Sequence, residues 1–197
     1  MLNAISAQRP LILASGSKYR AELLARLRVP FEAIASQVDE ATRPNETAEH
    51  LTKRLALAKA QALLDRSPDR WVLGSDQAAA CSGLVLGKPG NRLAAVRQLQ
   101  LLAGREVQFM TAVALLGGPR QFTALDITTV RMRHLEAEEI ERYVDLEPAL
   151  DCAGSFKCEG LGISLFDEIR STDPTALIGL PLILVRQLLA RAGMSIP

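Results

Sequence analysis

Along the chain, segments that are apolar over a few consecutive positions alternate with segments whose apolar residues recur every three or four positions. This pattern is typical of alternating strands and helices. Short apolar runs predict strands at Leu11–Ala14 and Trp71–Gly74, and two long strands are predicted at Val107–Leu116 and Asp126–Met132. Phe31–Ala35 and Ile163–Phe166 are further predicted strands. Segments with apolar residues three or four apart are the predicted helices: Lys18–Arg28, Thr47–Leu64, Arg92–Leu102, Glu136–Leu146 and Pro181–Ala192. This alternation predicts an α/β fold.

Residues typical of turns and helix caps lie at the ends of the predicted strands and helices. Ser17 and Asn91 stand at predicted helix starts, and Gly104 follows the end of a predicted helix. Ser82-Gly83 is a turn pair between two apolar runs, which predicts a hairpin. The polar segment 37–46 is predicted to be a loop.

Composition narrows the classes of protein that need considering. The 197 residues suffice for one large domain or for two small lobes that share a core. A formal net charge of +1 argues against a protein built to bind DNA or RNA, although a few local cations can still bind a small anion. The three cysteines are an odd number and lack the paired spacing of metal ligands, and no apolar run is long enough for a signal or membrane segment. We therefore expect a cytoplasmic protein with no membrane partner.

The first strand-to-helix junction is a candidate phosphate site. Ser15 and Ser17 offer hydroxyl and backbone donors, and Lys18 and Arg20 lie in the first helical turn, where the helix dipole disfavours cations. An anion between these cations and the helix amides would explain the placement. An ordinary solvated helix start is the alternative.

Lys59 and Asp76 are unusual in their predicted surroundings. Lys59 lies four residues from both Leu55 and Leu63, on the helix face that should meet the core. Its ammonium group either extends outward to solvent, the commoner outcome, or reaches into a polar site. Asp76 follows a predicted strand, at the sheet edge where ligands bind in α/β proteins, so it can bind Mg²⁺ or orient a water. A turn or cap aspartate is the alternative.

Two glycine-containing segments carry further charges. Residues 83–89 superficially suggest a phosphate loop, but the spacing is short and Pro89 stands where a hydroxyl must contact Mg²⁺. The pattern therefore argues against a P-loop enzyme. Lys88 can still reach a phosphate from the end of the hairpin. Residues 152–160 combine small residues with Lys157 and Glu159, and a glutamate can accept from the N–H edge of a guanine-like base. An ordinary flexible loop is the alternative.

The order of these motifs is more specific than any one of them. In sequence come Ser15-Gly-Ser-Lys-Tyr-Arg20 after an apolar strand, Val38-Asp-Glu40, Leu57-Ala-Lys-Ala60, Gly74-Ser-Asp-Gln77, Leu86-Gly-Lys-Pro89 and Ala153-Gly-Ser-Phe-Lys-Cys-Glu-Gly160. This series resembles the Maf family of nucleotide pyrophosphatases over nearly the whole chain. The resemblance implies a single domain of residues 1–197 with an elongated α/β fold like that of inosine triphosphatases. It also implies two lobes and a site in the cleft between them.

The resemblance further implies a branch and a set of roles. Family members that act on dTTP and UTP typically carry Ala-Asp-Thr and a late Gln-Gly, whereas Ser75-Asp-Gln77 and Lys157-Cys-Glu-Gly160 resemble the branch that hydrolyses 7-methyl-GTP. The implied roles are Asp76 as proton acceptor, Glu40 with Asp76 at a Mg²⁺ or Mn²⁺ ion, Tyr19, Gln77 and Glu159 at the base, and Ser15, Arg20, Lys59 and Lys88 at the triphosphate, with Lys157 beside the substrate. Two positions depart from the family pattern: Lys18 replaces the usual proline, and Tyr19 replaces the tryptophan usual in this branch.

The expected reaction is therefore hydrolysis of 7-methyl-GTP to 7-methyl-GMP and pyrophosphate, which would remove modified nucleotides from the pool. A dTTP/UTP pyrophosphatase of the same family is one alternative. The other is a non-catalytic nucleotide-binding regulator of cell division. The expected partner is a small-molecule nucleotide rather than a nucleic acid, and a homodimer is compatible with the family.

Overall fold

The computed structural model describes residues 5–194 and 196. Its strands are β1 (Leu11–Ala14), β2 (Phe31–Ala33), β3 (Val72–Cys81), β4 (Leu84–Leu86), β5 (Glu106–Gly117), β6 (Arg120–Met132) and β7 (Phe166–Arg170). Its α-helices are α1 (Lys18–Ala25), α2 (Ala48–Leu64), α3 (Arg92–Leu102), α4 (Ala137–Leu146) and α5 (Leu182–Arg191). Short 3₁₀ turns cover Ala153–Ser155 and Leu161–Leu165. Within these described residues, no helix is both long and apolar enough to cross a bilayer.

The strands form one mixed sheet. Their order is β2-β1-β3-β5-β6-β7, and β4 pairs with β3 outside this path. β1 lies parallel to both β2 and β3, whereas the β3–β4 and β6–β7 pairs are antiparallel. The prediction of an α/β fold is confirmed, and its central sheet is mixed.

The chain divides into two compact units, and β3, β5 and β6 contribute residues to both. Of the described residues, the first unit contains 5–76, 111–126, 173–194 and 196, and the second contains 77–110 and 127–172. The implied arrangement as one domain of two lobes stays a prediction.

The first unit has hydrophobic packing on both faces of its part of the sheet. Along β1, Leu11 and Leu13 belong to a cluster that includes residues of α1 and α5. The alternate residues, Ile12 and Ala14, belong to a second cluster that includes residues of α2. This alternation follows from the two-residue period of a strand, and it explains why β1 is apolar at every position.

The second unit packs α3 against α4 and against the 3₁₀ turn at Ala153–Ser155. Phe156 makes edge-to-face contacts with Phe109 of β5, at a centroid distance of 5.3 Å, and with Phe166 of β7, at 4.7 Å. Such aromatic pairs prefer this geometry, and they fix the start of the 157–160 segment in the core of the unit.

Most predicted ends lie close to the observed ones. The predicted end of the third strand at Gly74 is wrong: β3 continues to Cys81, so Asp76 lies within the strand and does not follow it. Ser17 and Asn91 cap α1 and α3 as predicted, and Ser82 and Gly83 have positive φ values of 50° and 82° in the β3–β4 turn. The predicted strand Ile163–Phe166 is wrong: Ile163 lies in a 3₁₀ turn, and the strand begins only at Phe166. A short apolar run has no clear period, so it fits a buried turn as well as a strand.

Candidate active site

The junction of β1 and α1 is a hydrogen-bonded turn. The Ser15 hydroxyl oxygen accepts from the Ser17 N–H at 3.1 Å, and the Ser17 hydroxyl oxygen accepts from the Arg20 N–H at 3.4 Å. Ser15 is buried, with 6% of its surface exposed. Lys18 is exposed, and its Nζ lies 5.1 Å from the centroid of the Tyr19 ring. The two positions that depart from the family pattern therefore contact each other.

Arg20 turns away from its own helix toward a distant loop. Its Nε donates to the Gly179 carbonyl at 2.9 Å, and the Ser75 hydroxyl donates to the same oxygen at 3.2 Å. Burial lowers the pKa of Arg20, while the negative charges of Asp76 and Glu40 act in the opposite direction. Because a guanidinium remains protonated in proteins, Arg20 supplies a fixed positive charge near both carboxylates.

Lys59 reaches into a polar site, and the alternative that its ammonium extends to solvent is wrong. Only 5% of the residue is exposed. Its Nζ lies 2.7 Å from Asp76 Oδ1 and 2.7 Å from Glu40 Oε1. One ammonium group thus bridges the carboxylates of Asp76 and Glu40.

Gly74 explains why Lys59 can reach Asp76. A Cβ at Gly74 would lie 2.1 Å from the Ala56 carbonyl oxygen and 2.9 Å from the Ala60 nitrogen. The backbone of α2 therefore packs directly on the backbone of β3, with only small side chains at the contact. Lys59 lies between Ala56 and Ala60 in the sequence. The close approach of α2 to β3 therefore brings the Lys59 side chain within reach of Asp76, two residues after Gly74 on β3.

Asp76 is buried, with 6% of its surface exposed. Burial raises the pKa of this carboxyl group above the usual range of an aspartate, although the charges of Lys59 and Arg20 and the Lys59 hydrogen bond lower it. A carboxylate with a raised pKa is a better proton acceptor near neutral pH than an ordinary one. Its position and its electrostatics therefore suit a general base.

The remaining predicted residues belong to the second unit. Gln77 follows Asp76 on β3 and is half-buried. Lys88 is exposed in the segment between β4 and α3, and Glu159 is exposed in the turn that begins at Lys157. The backbone N–H of Lys157 donates to the Tyr143 hydroxyl at 3.2 Å. The structure thus describes Lys88, Lys157 and Glu159 on connections between elements rather than on regular helices or strands.

Several residues that support these segments were missed by sequence reasoning. The Tyr143 hydroxyl contacts Glu147 Oε2 at 3.3 Å, and that oxygen also accepts from the Gly162 N–H at 3.0 Å. A Cβ at Gly160 would lie 2.1 Å from Glu147 Oε1. The turn that carries Glu159 is therefore packed closely around the carboxylate of Glu147, which immediately follows α4. The four-residue spacing of Tyr143 and Glu147 on a helix is a signal of contact between them, but nothing in the sequence indicates the loop.

Similarity to known proteins extends over nearly the whole chain. Residues 10–192 match the Maf-like protein family, Maf. The chain belongs to the Maf family. Three relatives carry the name 7-methyl-GTP pyrophosphatase. The protein of Xanthomonas axonopodis pv. citri is 57% identical, covering 95% of this chain and 98% of its own. The protein of Albidiferax ferrireducens is 50% identical, covering 96% of each chain. That of Pseudomonas aeruginosa is 49% identical over 95% and 98%.

Among solved structures, the Ham1 protein of Staphylococcus aureus matches with a TM-score of 0.43 and 13% identity, covering 62% of this Maf chain and 71% of its own. That similarity is too low to support an argument about the site. The family match, residues 10–192, includes every predicted site residue named above.

Two acidic groups of this Maf protein, Asp76 and Glu40, have the chemistry to hold a divalent ion. Within residues 5–194 and 196, no three His, Cys, Asp or Glu side chains cluster as a metal site on their own. Asp76 and Glu40 nevertheless share one cation, the Lys59 ammonium, between their oxygens. Mg²⁺ is commonly bound by one or two carboxylates together with substrate phosphates and water, so two carboxylates meet that requirement.

Proposed function

We propose that this protein is a pyrophosphatase that hydrolyses 7-methyl-GTP to 7-methyl-GMP and pyrophosphate and so removes a modified nucleotide from the pool. The observation that supports it most is the grouping of Arg20, Glu40, Lys59 and Asp76 in a chain whose relatives carry that name. A buried carboxylate, Asp76, beside cations suits a reaction in which a water must lose a proton close to a polyanion.

In the proposed mechanism Asp76 accepts the proton of the water that attacks the α-phosphorus. Its buried position raises the pKa of the carboxyl group, which strengthens it as a base. Lys59 donates a hydrogen bond to Asp76 Oδ1 at 2.7 Å. This bond fixes the orientation of the carboxylate and leaves the other oxygen, Oδ2, to accept the proton. No covalent intermediate is required.

Asp76 and Glu40 are the proposed ligands of Mg²⁺ or Mn²⁺. A bound ion would supply neutralisation of phosphate charge and would lower the pKa of a water. The Lys59 ammonium bridges both carboxylates and offsets part of their negative charge. One ammonium group carries three donors, so Lys59 can also bind a phosphate oxygen.

Arg20, Lys59 and Lys88 are the proposed phosphate ligands. As the bond to the leaving group breaks, negative charge accumulates on pyrophosphate, and positioned cations stabilise that charge. Arg20 is already held by its bond to the Gly179 carbonyl, so little side-chain freedom is lost when it binds an anion. Ser15 contributes its hydroxyl at the β1–α1 junction, and Lys157 adds a cation beside the base-binding turn.

Tyr19, Gln77 and Glu159 are the proposed base ligands. The 7-methylated purine carries a positive charge, which the face of an aromatic ring attracts. One side of the Tyr19 ring already has the Lys18 ammonium at 5.1 Å, so the base would stack on the other side. Glu159 would accept hydrogen bonds from the N–H edge of guanine, and Gln77 would add an amide donor and acceptor.

The proposed compartment is the cytoplasm. The cysteines Cys81, Cys152 and Cys158 are all free, which supports a reducing environment. A homodimer and the absence of a nucleic-acid partner stay predictions from the family resemblance and from the net charge of +1.

A substrate panel tests the proposal. Purified protein with Mg²⁺ or Mn²⁺ is expected to release pyrophosphate from 7-methyl-GTP much faster than from GTP, dTTP or UTP. Removal of the ion with EDTA should abolish turnover, and its return should restore it. A preference for dTTP and UTP would indicate the other branch of the family. Nucleotide binding without turnover at any metal concentration would indicate the regulator.

Two variants test whether Asp76 is the proton acceptor. Asp76→Asn keeps the shape of the side chain and removes the proton acceptor, so kcat should fall at least about a hundredfold. Asp167→Asn makes the same change at an exposed position of β7 and should leave kcat unchanged. Full activity of the Asp76→Asn variant would refute the proposed role.

A further inference from the structure

Gln98 of α3 is bonded through one side-chain amide to two separate segments of the second unit. Its Nε2 donates to the Gly87 carbonyl at 3.2 Å. Its Oε1 accepts from the Ser155 hydroxyl in a short hydrogen bond. We call residues 87–90 the Lys88 segment and residues 153–160 the Glu159 loop.

The bond to Gly87 fixes the start of the Lys88 segment. The Gly87 carbonyl and the Lys88 nitrogen belong to the same planar peptide group, so a hydrogen bond to that oxygen orients the backbone at Lys88. Farther along, the Gly90 N–H donates to the Leu150 carbonyl at 3.0 Å. The segment is exposed and has no regular secondary structure. These two hydrogen bonds therefore restrain its backbone at both ends.

The bond to Ser155 fixes an unusual backbone conformation at the start of the Glu159 loop. Ser155 has a φ of 62°, which L-residues rarely adopt, and it follows Gly154 with a φ of 80°. Only 1% of Ser155 is exposed, and its hydroxyl donates to Gln98. A left-handed residue other than glycine persists where its surroundings hold it, so the Gln98 bond helps to define the path of the chain toward Glu159.

From this geometry we infer that Gln98 is a positioning residue that orients the phosphate-binding Lys88 and the base-binding Glu159 together. The inference rests on the proposed function, which gives those two residues their roles. A side-chain amide carries both a donor and an acceptor. Gln98 can therefore donate to the Gly87 carbonyl and accept from the Ser155 hydroxyl at the same time. Gln98 acts through both segments and does not itself contact substrate.

Three variants break the two bonds separately and together. Gln98→Glu keeps an acceptor for the Ser155 hydroxyl but places a carboxylate against the Gly87 carbonyl. Ser155→Ala removes only the bond to the Glu159 loop. Gln98→Ala removes both bonds. Gln100→Ala is the matched control, because Gln100 is exposed on the same helix.

The kinetic result expected differs for each variant. Gln98→Glu should lower kcat/KM about two- to twelvefold for 7-methyl-GTP and GTP alike, the range expected for one hydrogen bond, and should leave their ratio unchanged. Ser155→Ala should lower the ratio of kcat/KM for 7-methyl-GTP over GTP by a similar factor. Gln98→Ala should show both effects. The ratio does not depend on the fraction of folded enzyme, so a general loss of stability cannot mimic it.

Amide hydrogen exchange of the ligand-free protein provides a readout that needs no activity. Gln98→Ala should accelerate exchange at Gly90, Ser155 and Lys157, whose N–H groups are hydrogen-bonded in these two segments. Gln100→Ala should not. Unchanged exchange in both segments, or an unchanged substrate ratio in an active Gln98→Ala enzyme, overturns the inference. Accelerated exchange in a protein whose parent does not turn over any nucleotide refutes the proposed function and leaves the bridge itself confirmed.

Discussion

Replacement of Gly74 by alanine tests whether the packing of α2 on β3 creates the site. The new Cβ would lie 2.1 Å from the carbonyl oxygen of Ala56, whereas ordinary contact begins at 3.4 Å. Backbone atoms of a helix cannot rotate out of the way as a flexible side chain can. We therefore expect α2 to move away from β3 by about 1.3 Å, the difference between those distances.

This movement should reduce both stability and catalysis. Forcing an extra carbon into a packed core costs about 1–3 kcal/mol of unfolding free energy. Lys59 lies next to the displaced contact, and a shift of about 1.3 Å would stretch its 2.7 Å hydrogen bond to Asp76 beyond bonding distance. A misplacement of about 1 Å in catalytic groups can reduce the rate about a hundredfold.

Urea titration measures the first effect, and pyrophosphate release from 7-methyl-GTP measures the second. Gly16→Ala is the control for stability, because a Cβ at Gly16 would lie 3.6 Å from the Ala35 Cβ, an ordinary contact. That variant should change the unfolding free energy by no more than about 0.5 kcal/mol. A Gly74→Ala protein with the parent's stability would refute the close backbone packing. A destabilised but fully active one would refute the link from packing to the site.

Three further predictions concern titration and loop support. Burial raises the folded-state pKa of Asp76, so its stabilising contribution is complete below the unfolded pKa and is lost as pH rises through the folded pKa. As pH rises above the unfolded pKa of about 3.9, the unfolding free energy of Asp76→Asn should therefore decline less than that of the parent. Parallel urea titrations would contradict this if the two curves declined equally. Tyr143→Phe removes the acceptor of the Lys157 N–H and should lower the kcat/KM ratio of 7-methyl-GTP over GTP about two- to twelvefold; an unchanged ratio would count against loop support. Burial raises the pKa of Cys152 and of Cys158 to about 12, so at pH 8 about one thiol in ten thousand is ionised, and iodoacetamide should label the folded protein far more slowly than the urea-unfolded one. Equal labelling rates would show that these thiols are not protected.

The fold follows from sequence where a residue's local preference and its tertiary surroundings agree. Helix α3 begins and ends at the predicted residues because Asn91 caps it and Gly104 adopts a φ of 70° just beyond its end. β6 begins at Arg120, six residues before the prediction, and the polar residues Arg120, Gln121 and Thr123 leave its start without an apolar run to mark it. The start of α5 depends on Asp173, whose carboxylate accepts from the Ile183 N–H at 2.7 Å. A cap ten residues away in sequence has no local signal.

The candidate site was predictable as a set of residues but not as an arrangement. The periodicity of α2 placed Lys59 on the buried face, but it left two outcomes for the ammonium group. The deciding feature is Gly74, which allows the helix to approach the strand, and its importance appears only when Ala56 and Ala60 are known to lie opposite it. Gln98 is predictable from neither period nor motif, because both of its hydrogen-bond partners are distant in sequence.

Two ion pairs of the first unit show why Asp76 is better explained by chemistry than by stability. Glu46 pairs with Arg54, and this hydrogen-bonded partner lowers the pKa of Glu46 to about 2, as expected when the pair favours the charged form. Asp76 has Lys59 at 2.7 Å and the charge of Arg20 nearby, yet its pKa is raised. Desolvation of Asp76 therefore outweighs the attraction of two cations. A buried pair of this kind is often no more stable than apolar residues of the same volume, so stability gives little reason to retain it. A carboxylate kept ready to accept a proton beside fixed cations does give one, because a perturbed pKa at a cluster of charges is the usual condition of a catalytic base.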